Sequence, residues 1–261
     1  MREPDQDQQL EGVCDADSVS DNTLKARNRG IYLLPNLFTS AALFSGFYAI
    51  IAAMNGDFEK AAIAIFVSMV LDGIDGRVAR MTNTQSDFGA QYDSLADMVS
   101  FGVAPALVAF SWSLQDAGKI GWVAGFIFVA GAALRLARFN TQIGSVEKRY
   151  FIGLASPAAA GVVAGMVWVG TQFEIDAARY ALVIALIVAL SGILMVSNFY
   201  YNSFKEIDLK GKVPFVVLLG VVMVLAVISI DPATLLWLIF VVYAFSGPVQ
   251  SIQRYRKKHT V

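Results

Sequence analysis

The run from Ile31 to Ala53 holds 23 residues without one charged side chain. At about 1.5 Å per residue, a helix of that length crosses a hydrocarbon core of about 30 Å. Apolar runs of similar length follow, and eight spans are expected at 31–53, 60–79, 90–113, 119–140, 153–172, 177–197, 213–230 and 233–250. Inside lipid the backbone has no water to bond, so only helices and closed barrels cross. Barrel strands alternate apolar and polar residues, whereas these runs are continuously apolar. The expected fold is therefore an all-α, polytopic membrane bundle of about eight transmembrane helices with short connections.

The few charges are placed with a strong bias. Charged residues make up 16% of the chain, against about 25% in a soluble domain. With eight spans both termini share a side, and 17 of the 20 Lys and Arg fall on that side. The three on the other side are Lys60, Lys119 and Arg179. Positive residues favour the cytoplasmic face, so both termini are expected in the cytoplasm, in a multi-pass protein of the cell's inner (cytoplasmic) membrane. Residues 1–30 form a polar tail, expected to be disordered, with a basic juxtamembrane segment. They lack the apolar stretch of a cleavable leader, so the first span is expected to stay in place. The core is expected over 31–200, two additional helices over 201–250, and a basic tail over 251–261. A net charge of −1 gives no reason to invoke nucleic acid. The one cysteine, Cys14, lies in the tail and excludes an internal disulfide. The one histidine, His259, is third from the end, which excludes histidine-based catalysis in the bundle.

Against this background the acids between residues 71 and 105 are conspicuous. Asp72, Asp75, Asp93 and Asp97 fall inside or at the edge of expected spans, where one charge near the bilayer centre costs about 2.5–3.5 kcal/mol. Asp72, Asp75 and Ala79 recur at helical spacing on one face; Gly89, Asp93 and Asp97 do the same on the next helix. Two such faces turned toward each other make a hard, oxygen-rich site suited to Mg2+ or Mn2+. Gly73, Gly76 and Gly89 remove bulk beside the acids, so that a phosphate or nucleotide can approach. An ion or proton pathway in a cation-coupled transporter is the alternative that buried carboxylates alone leave open.

The pattern Asp72-x2-Asp75-Gly76-x2-Ala79-Arg80-x8-Gly89-x3-Asp93-x3-Asp97 resembles the full signature of the CDP-alcohol phosphotransferases. The segment Leu134-Arg135-Leu136-Ala137-Arg138-Phe139-Asn140, the stretch from Phe151 to Ala160 and the Pro35-Asn36 and Thr39 positions resemble the bacterial and archaeal phosphatidylserine synthase branch. Ala155 departs from the Gly-Leu-Pro-x-Pro expected in that branch. The resemblance covers residues 31–160 and implies transfer of a phosphatidyl group from CDP-diacylglycerol to L-serine, giving phosphatidylserine and CMP. It implies two divalent cations, Mg2+ or Mn2+, on Asp72, Asp75, Asp93 and Asp97, with Asp97 also the general base. It further implies that Gly76, Ala79, Arg80 and Gly89 contact the CDP-lipid, with Asn36 and Thr39 as weaker candidates. Membrane lipids and a second copy in a homodimer are the implied partners.

Arg135 and Arg138 are three apart, so both are expected to face one cavity. A guanidinium suits a carboxylate or phosphate, which makes the pair candidates for holding the acceptor. They fit serine, but also glycerol phosphate or inositol phosphate, so the same donor with another acceptor remains an alternative. The signature and the crowding of charge on one membrane face argue against a transporter. Trp112, Trp122, Trp168, Tyr200 and Tyr201 are expected to anchor the helices at the membrane interfaces.

Overall fold

The computed structural model describes residues 36–82, 86–141, 150–202 and 228–258, together with Gly220, Met223 and Ala226. The tail and juxtamembrane segment expected before residue 31 lie outside the described residues, as does most of the expected span 213–230.

Helix α1 (Asn36–Met54) ends in an Asn55-Gly56 turn, where Gly56 takes φ +82°, a left-handed conformation natural to glycine. Helix α2 (Phe58–Thr82) runs back alongside it. Ser45 and Ser68 bond the carbonyls of Ala64 and Ala42 across the pair, at 2.7 and 2.8 Å. These bonds satisfy both buried hydroxyls where no water is available.

Helix α3 (Asp87–Asp97) starts on Ser86, whose side chain accepts from the Gly89 N–H at 3.0 Å. It continues without a break through a wider, π-type turn at Met98–Val103 into α4 (Ala104–Trp112). In that turn the Ala104 N–H reaches back five residues to the Val99 carbonyl. Pro105, with no N–H to give, follows at once. A short 3-10 turn (Leu114–Ala117) leads to α5 (Lys119–Thr141).

Strand β1 (Tyr150–Ile152) pairs antiparallel with β2 (Tyr200–Asn202), Phe151 opposite Tyr201. This three-residue ribbon is a local addition to a helical fold, which is otherwise the all-α architecture expected. Between its strands lie α6 (Ser156–Gln172) and α7 (Ala181–Val196). Gly153 makes the bend into α6 at φ +83°, its N–H bonded to the Phe199 carbonyl at 2.9 Å. Helix α8 (Pro232–Lys258) closes the described chain.

Helix α6 is the hub. It packs on α2, on α4 and most of all on α8, and 13 of its 17 residues are buried. Its Gly161 and Gly165 admit the Phe240 ring and the Trp237 side chain of α8. Helices α5 and α7 meet backbone to backbone at Gly131 and Gly192. Such small-residue crossings are how helices pack closely in lipid, where apolar side chains gain nothing by leaving it.

Among the described residues four helices are long and apolar enough to cross a membrane: Asn36–Met54, Asp87–Trp112, Lys119–Thr141 and Pro232–Ser251. Helix α2 has the length but carries Asp72, Asp75 and Arg77 in its second half. Helices α6 and α7 are 17 and 16 residues long, because the expected spans 153–172 and 177–197 begin in a bend and a turn. The architecture is that of a multi-pass membrane protein.

The aromatic residues expected at the interfaces divide. Trp122 is exposed. Trp168 packs inward on Phe66, ring centroids 5.7 Å apart. Tyr201 is fully buried. The last two are packing residues: Trp168, on α6, faces α2, and Tyr201 faces α8.

Candidate active site

The facing acidic helices expected from spacing come together. Asp72 and Asp75 on α2 and Asp93 on α3 each offer a carboxylate oxygen, and these atoms lie within 4.8 Å of one another. Asp75 is buried, and Asp72 and Asp93 are partly so. Asp97, one turn beyond Asp93, makes a side-chain hydrogen bond with Asp72. It stands beside that trio and is not one of its members.

The surrounding contacts hold the acids in place. Thr39 Oγ1 donates to Asp75 Oδ2 at 2.8 Å, from α1 to α2. Ser40 and Tyr92 share a 2.8 Å hydroxyl bond from α1 to α3, one residue from Asp93. Ser94 Oγ lies 3.1–3.2 Å from the Asn140 amide, which fixes α3 to the end of α5. Thus α3 is held on both flanks of its acidic face.

Among the described residues no Lys or Arg makes an ion pair with any of the four carboxylates. Arg77 is exposed. The Asp97 carboxylate acts electrostatically on the Arg135 guanidinium. Three hard oxygens this close, drawn from two helices, fit a divalent cation well.

The other expected site residues are distributed as follows. A Cβ on Gly76 would meet nothing within 4 Å, so the space beside the α2 acids is open. Gly89 instead faces the start of α1, where a Cβ would lie 3.5 Å from Asn36 Oδ1. Ala79 is half-buried on α2. Arg80 is in the last turn of α2, and its side chain lies outside the described residues.

The two arginines part company. Arg135 Nη1 donates to Ser156 Oγ at 2.9 Å, and its buried Nε has no hydrogen-bond partner among the described residues. Its guanidinium also feels the charge of Asp97. Arg138 turns to the end of α7 and donates to Asn198 Oδ1 at 3.1 Å and the Val196 carbonyl at 3.5 Å. Spacing put both on one helix face, but their long side chains reach different neighbours.

Sequence reasoning missed Ser94, Asn140 and Ser156. Ser94 is flanked by the acids and Asn140 closes the Arg135–Asn140 segment, so adjacency was a usable signal for both.

The geometry defines an acidic site with the donor set of a divalent cation, at a helix pair within a membrane bundle. Residues 32–191 match the family model described as CDP-alcohol phosphatidyltransferase. The chain belongs to that family. It is 40% identical over 189 residues to the CDP-diacylglycerol–serine O-phosphatidyltransferase of Helicobacter pylori, covering 72% of this chain and 80% of that one. The enzyme of the same name from Methanocaldococcus jannaschii is 34% identical over 180 residues, 69% of this chain and 79% of that one. Its namesake from Mycobacterium leprae is 30% identical over 230 residues, 85% and 76% of the two chains.

Proposed function

We propose that the chain transfers the phosphatidyl group of CDP-diacylglycerol to the hydroxyl of L-serine, giving phosphatidylserine and CMP for phospholipid synthesis. One observation carries this reading. Three acids of the family signature cluster, and the fourth, Asp97, hydrogen-bonds Asp72 and acts electrostatically on the buried Arg135.

Asp72, Asp75, Asp93 and Asp97 hold two divalent cations, Mg2+ or Mn2+. When bound, the ions supply charge neutralisation for the pyrophosphate and for the departing CMP. Gly76, Ala79, Arg80, Gly89 and Asn36 line the cytidine–diphosphate site, and Thr39 serves it by orienting Asp75. Asp97 takes the proton from the serine hydroxyl, since a carboxylate within hydrogen-bond reach of that oxygen acts as general base. The hydroxyl oxygen bonds to the phosphorus that carries diacylglycerol. The bond from that phosphorus to the bridging pyrophosphate oxygen breaks, and CMP leaves with the electron pair.

Arg135 holds the serine carboxylate. Its buried Nε, without a hydrogen-bond partner among the described residues, and its electrostatic interaction with Asp97 support this reading. Arg138 is engaged with α7 and takes no direct part. The asymmetry of Lys and Arg supports eight spans with both termini in the cytoplasm, in the inner membrane, and an acidic site open to that side. The catalytic unit is 31–200, with 201–250 as added helices. A homodimer belongs to this reading; the small residues of α5 and α6 are engaged within one chain, so the partner meets other, lipid-facing side chains.

The test is CMP release by the purified chain with CDP-diacylglycerol and Mn2+. Release that requires serine, and not glycerol 3-phosphate or inositol phosphate, is the expected result. Release only with a phosphorylated acceptor overturns the choice of acceptor, because a guanidinium binds either anion.

A further inference from the structure

Arg135 spends its guanidinium unevenly. Nη1 donates to Ser156 Oγ at 2.9 Å. Nε is buried, and among the described residues neither it nor Nη2 has a hydrogen-bond partner. Those two nitrogens form the in-plane edge that grips both oxygens of a carboxylate at once. Nη1 lies on the other side of the group, toward the side chain's own Cδ. Ser156 therefore takes the one nitrogen that this edge can spare. A buried donor without an acceptor is costly, and a bound anion supplies the acceptor.

Ser156 is itself held from several sides. It is fully buried in the first turn of α6, and Pro157 beside it fixes the backbone. The Gly153 N–H bonds the Phe199 carbonyl at 2.9 Å and the Leu154 N–H bonds the Leu194 carbonyl at 3.0 Å, so the bend before Ser156 is pinned to the end of α7. A Cβ on Gly153 would run into the Met195 carbonyl. The ribbon that leads into this bend is fastened in turn to α8. Tyr201 Oη donates at 3.0 Å to the Ala244 carbonyl, which Pro248, having no N–H, leaves free.

Helix register brings the fork level with the acids. Ser94 bonds Asn140, and a Cβ on Gly102 would lie 3.1 Å from that of Ala132, so α5 runs antiparallel to the α3–α4 helix. In that register Arg135 stands opposite Val99, two residues beyond Asp97. The offset between Arg135 and Asp97 along the helix axes is then about 3 Å.

We infer that Ser156 is a positioning residue for acceptor recognition: by holding Nη1 it presents the Nε–Nη2 edge of Arg135 to the acceptor's carboxylate. The inference rests on the reading of Arg135 as the partner of that carboxylate. It adds a demand on the substrate, since an acceptor with the same hydroxyl and amine but a neutral amide in place of the carboxylate leaves the edge unfilled.

The experiment measures CMP release by the purified full-length chain with L-serine and with L-serinamide, and KM for serine and for CDP-diacylglycerol. The variants are Ser156→Ala, Ser156→Thr, Arg135→Gln and the Arg135→Gln/Ser156→Ala pair. Ser156→Ala is expected to raise the serine KM about tenfold, the size of one lost hydrogen bond to a charged group, and the CDP-diacylglycerol KM by much less. The preference for serine over serinamide in kcat/KM is expected to fall by a similar factor. Ser156→Thr keeps the hydroxyl and is expected to keep the preference. The pair is expected to match Arg135→Gln alone, as residues acting through one group are not additive. If Ser156→Ala does not fold, Ser156→Cys, which fills the same place with a weak acceptor, decides by the same preference. A raised serine KM in Arg135→Gln, with serine KM and preference unchanged when Ser156 is replaced, overturns this inference and leaves the acceptor reading standing. An equal rise in both KM values in Ser156→Ala, as general loosening of α6 would give, overturns it as well. An unchanged serine KM in Arg135→Gln overturns both.

Discussion

Thr39 Oγ1 donates a 2.8 Å hydrogen bond to Asp75 Oδ2 and so fixes the most buried acid of the cluster from the neighbouring helix. A carboxylate that binds a cation is oriented by such outer contacts, and losing one costs about 10–100-fold in metal affinity. Thr39→Val keeps the shape and removes the donor. The Mn2+ concentration for half-maximal CMP release is expected to rise by about tenfold or more. An unchanged midpoint would detach Thr39 from the cation site.

Asp97 contacts Asp72 but stands beside the trio of clustered oxygens. Asp97→Asn keeps the volume and removes the basic oxygen. Turnover is expected to fall by about 10²–10⁴-fold, the range of general-base catalysis. Binding of CDP-diacylglycerol, followed by its protection against thermal unfolding, is expected to persist. Turnover near that of the natural chain would take the base role away from Asp97.

Gly76 faces open space beside the α2 acids. Alanine is a better helix residue than glycine by about 0.8–1.0 kcal/mol, so Gly76→Ala is expected to hold or raise the melting temperature. If the open space is where the CDP moiety lies, the same substitution raises the KM for CDP-diacylglycerol. A variant that is stable and kinetically unaltered would move the nucleotide away from Gly76.

The acidic core of the site was legible because helical periodicity is local: Asp72/Asp75 and Asp93/Asp97 need only their own turns to share a face. What escaped was long-range. Phe151 and Tyr201 pair across 50 residues, and three-residue strands leave no alternation to read. Tyr201 read as an interface anchor because aromatic residues near span ends usually are; its partner is a carbonyl freed by a proline 47 positions on. The π-type turn at 98–103 is hidden in a run that is apolar on every side. The eight-span expectation meets short α6 and α7 for a similar reason. Apolar residues continue through the Gly153 bend, and hydropathy does not register a backbone turn.

Gly131 and Gly192 bring α5 and α7 into backbone contact, and a Cβ on Gly131 would land on the Gly192 carbonyl oxygen. Neither helix has a flexible side chain there to yield. Gly131→Ala is expected to push the helices apart at a cost of about 1–3 kcal/mol, the usual penalty of overpacking. Thermal unfolding in detergent should show a lowered midpoint. An unchanged midpoint would mean that α5 slides past α7 without loss.

Arg138 offers the sharpest contrast with Arg135, three residues away on the same helix. Arg138 binds Asn198 Oδ1 and the Val196 carbonyl, at the end of α7, where a cation also favours the helix's negative end. Arg138→Ala is therefore expected to lower the melting temperature, by the equivalent of about 0.5–1.5 kcal/mol for the hydrogen bonding lost. Its serine KM should move no more than its CDP-diacylglycerol KM. Spacing alone gave both arginines to the acceptor, and a selective rise in serine KM in Arg138→Ala would restore that assignment. It would also require the Arg138 side chain to leave Asn198 when serine binds. Stability loss without selectivity would leave Arg135 as the acceptor's cationic contact on α5.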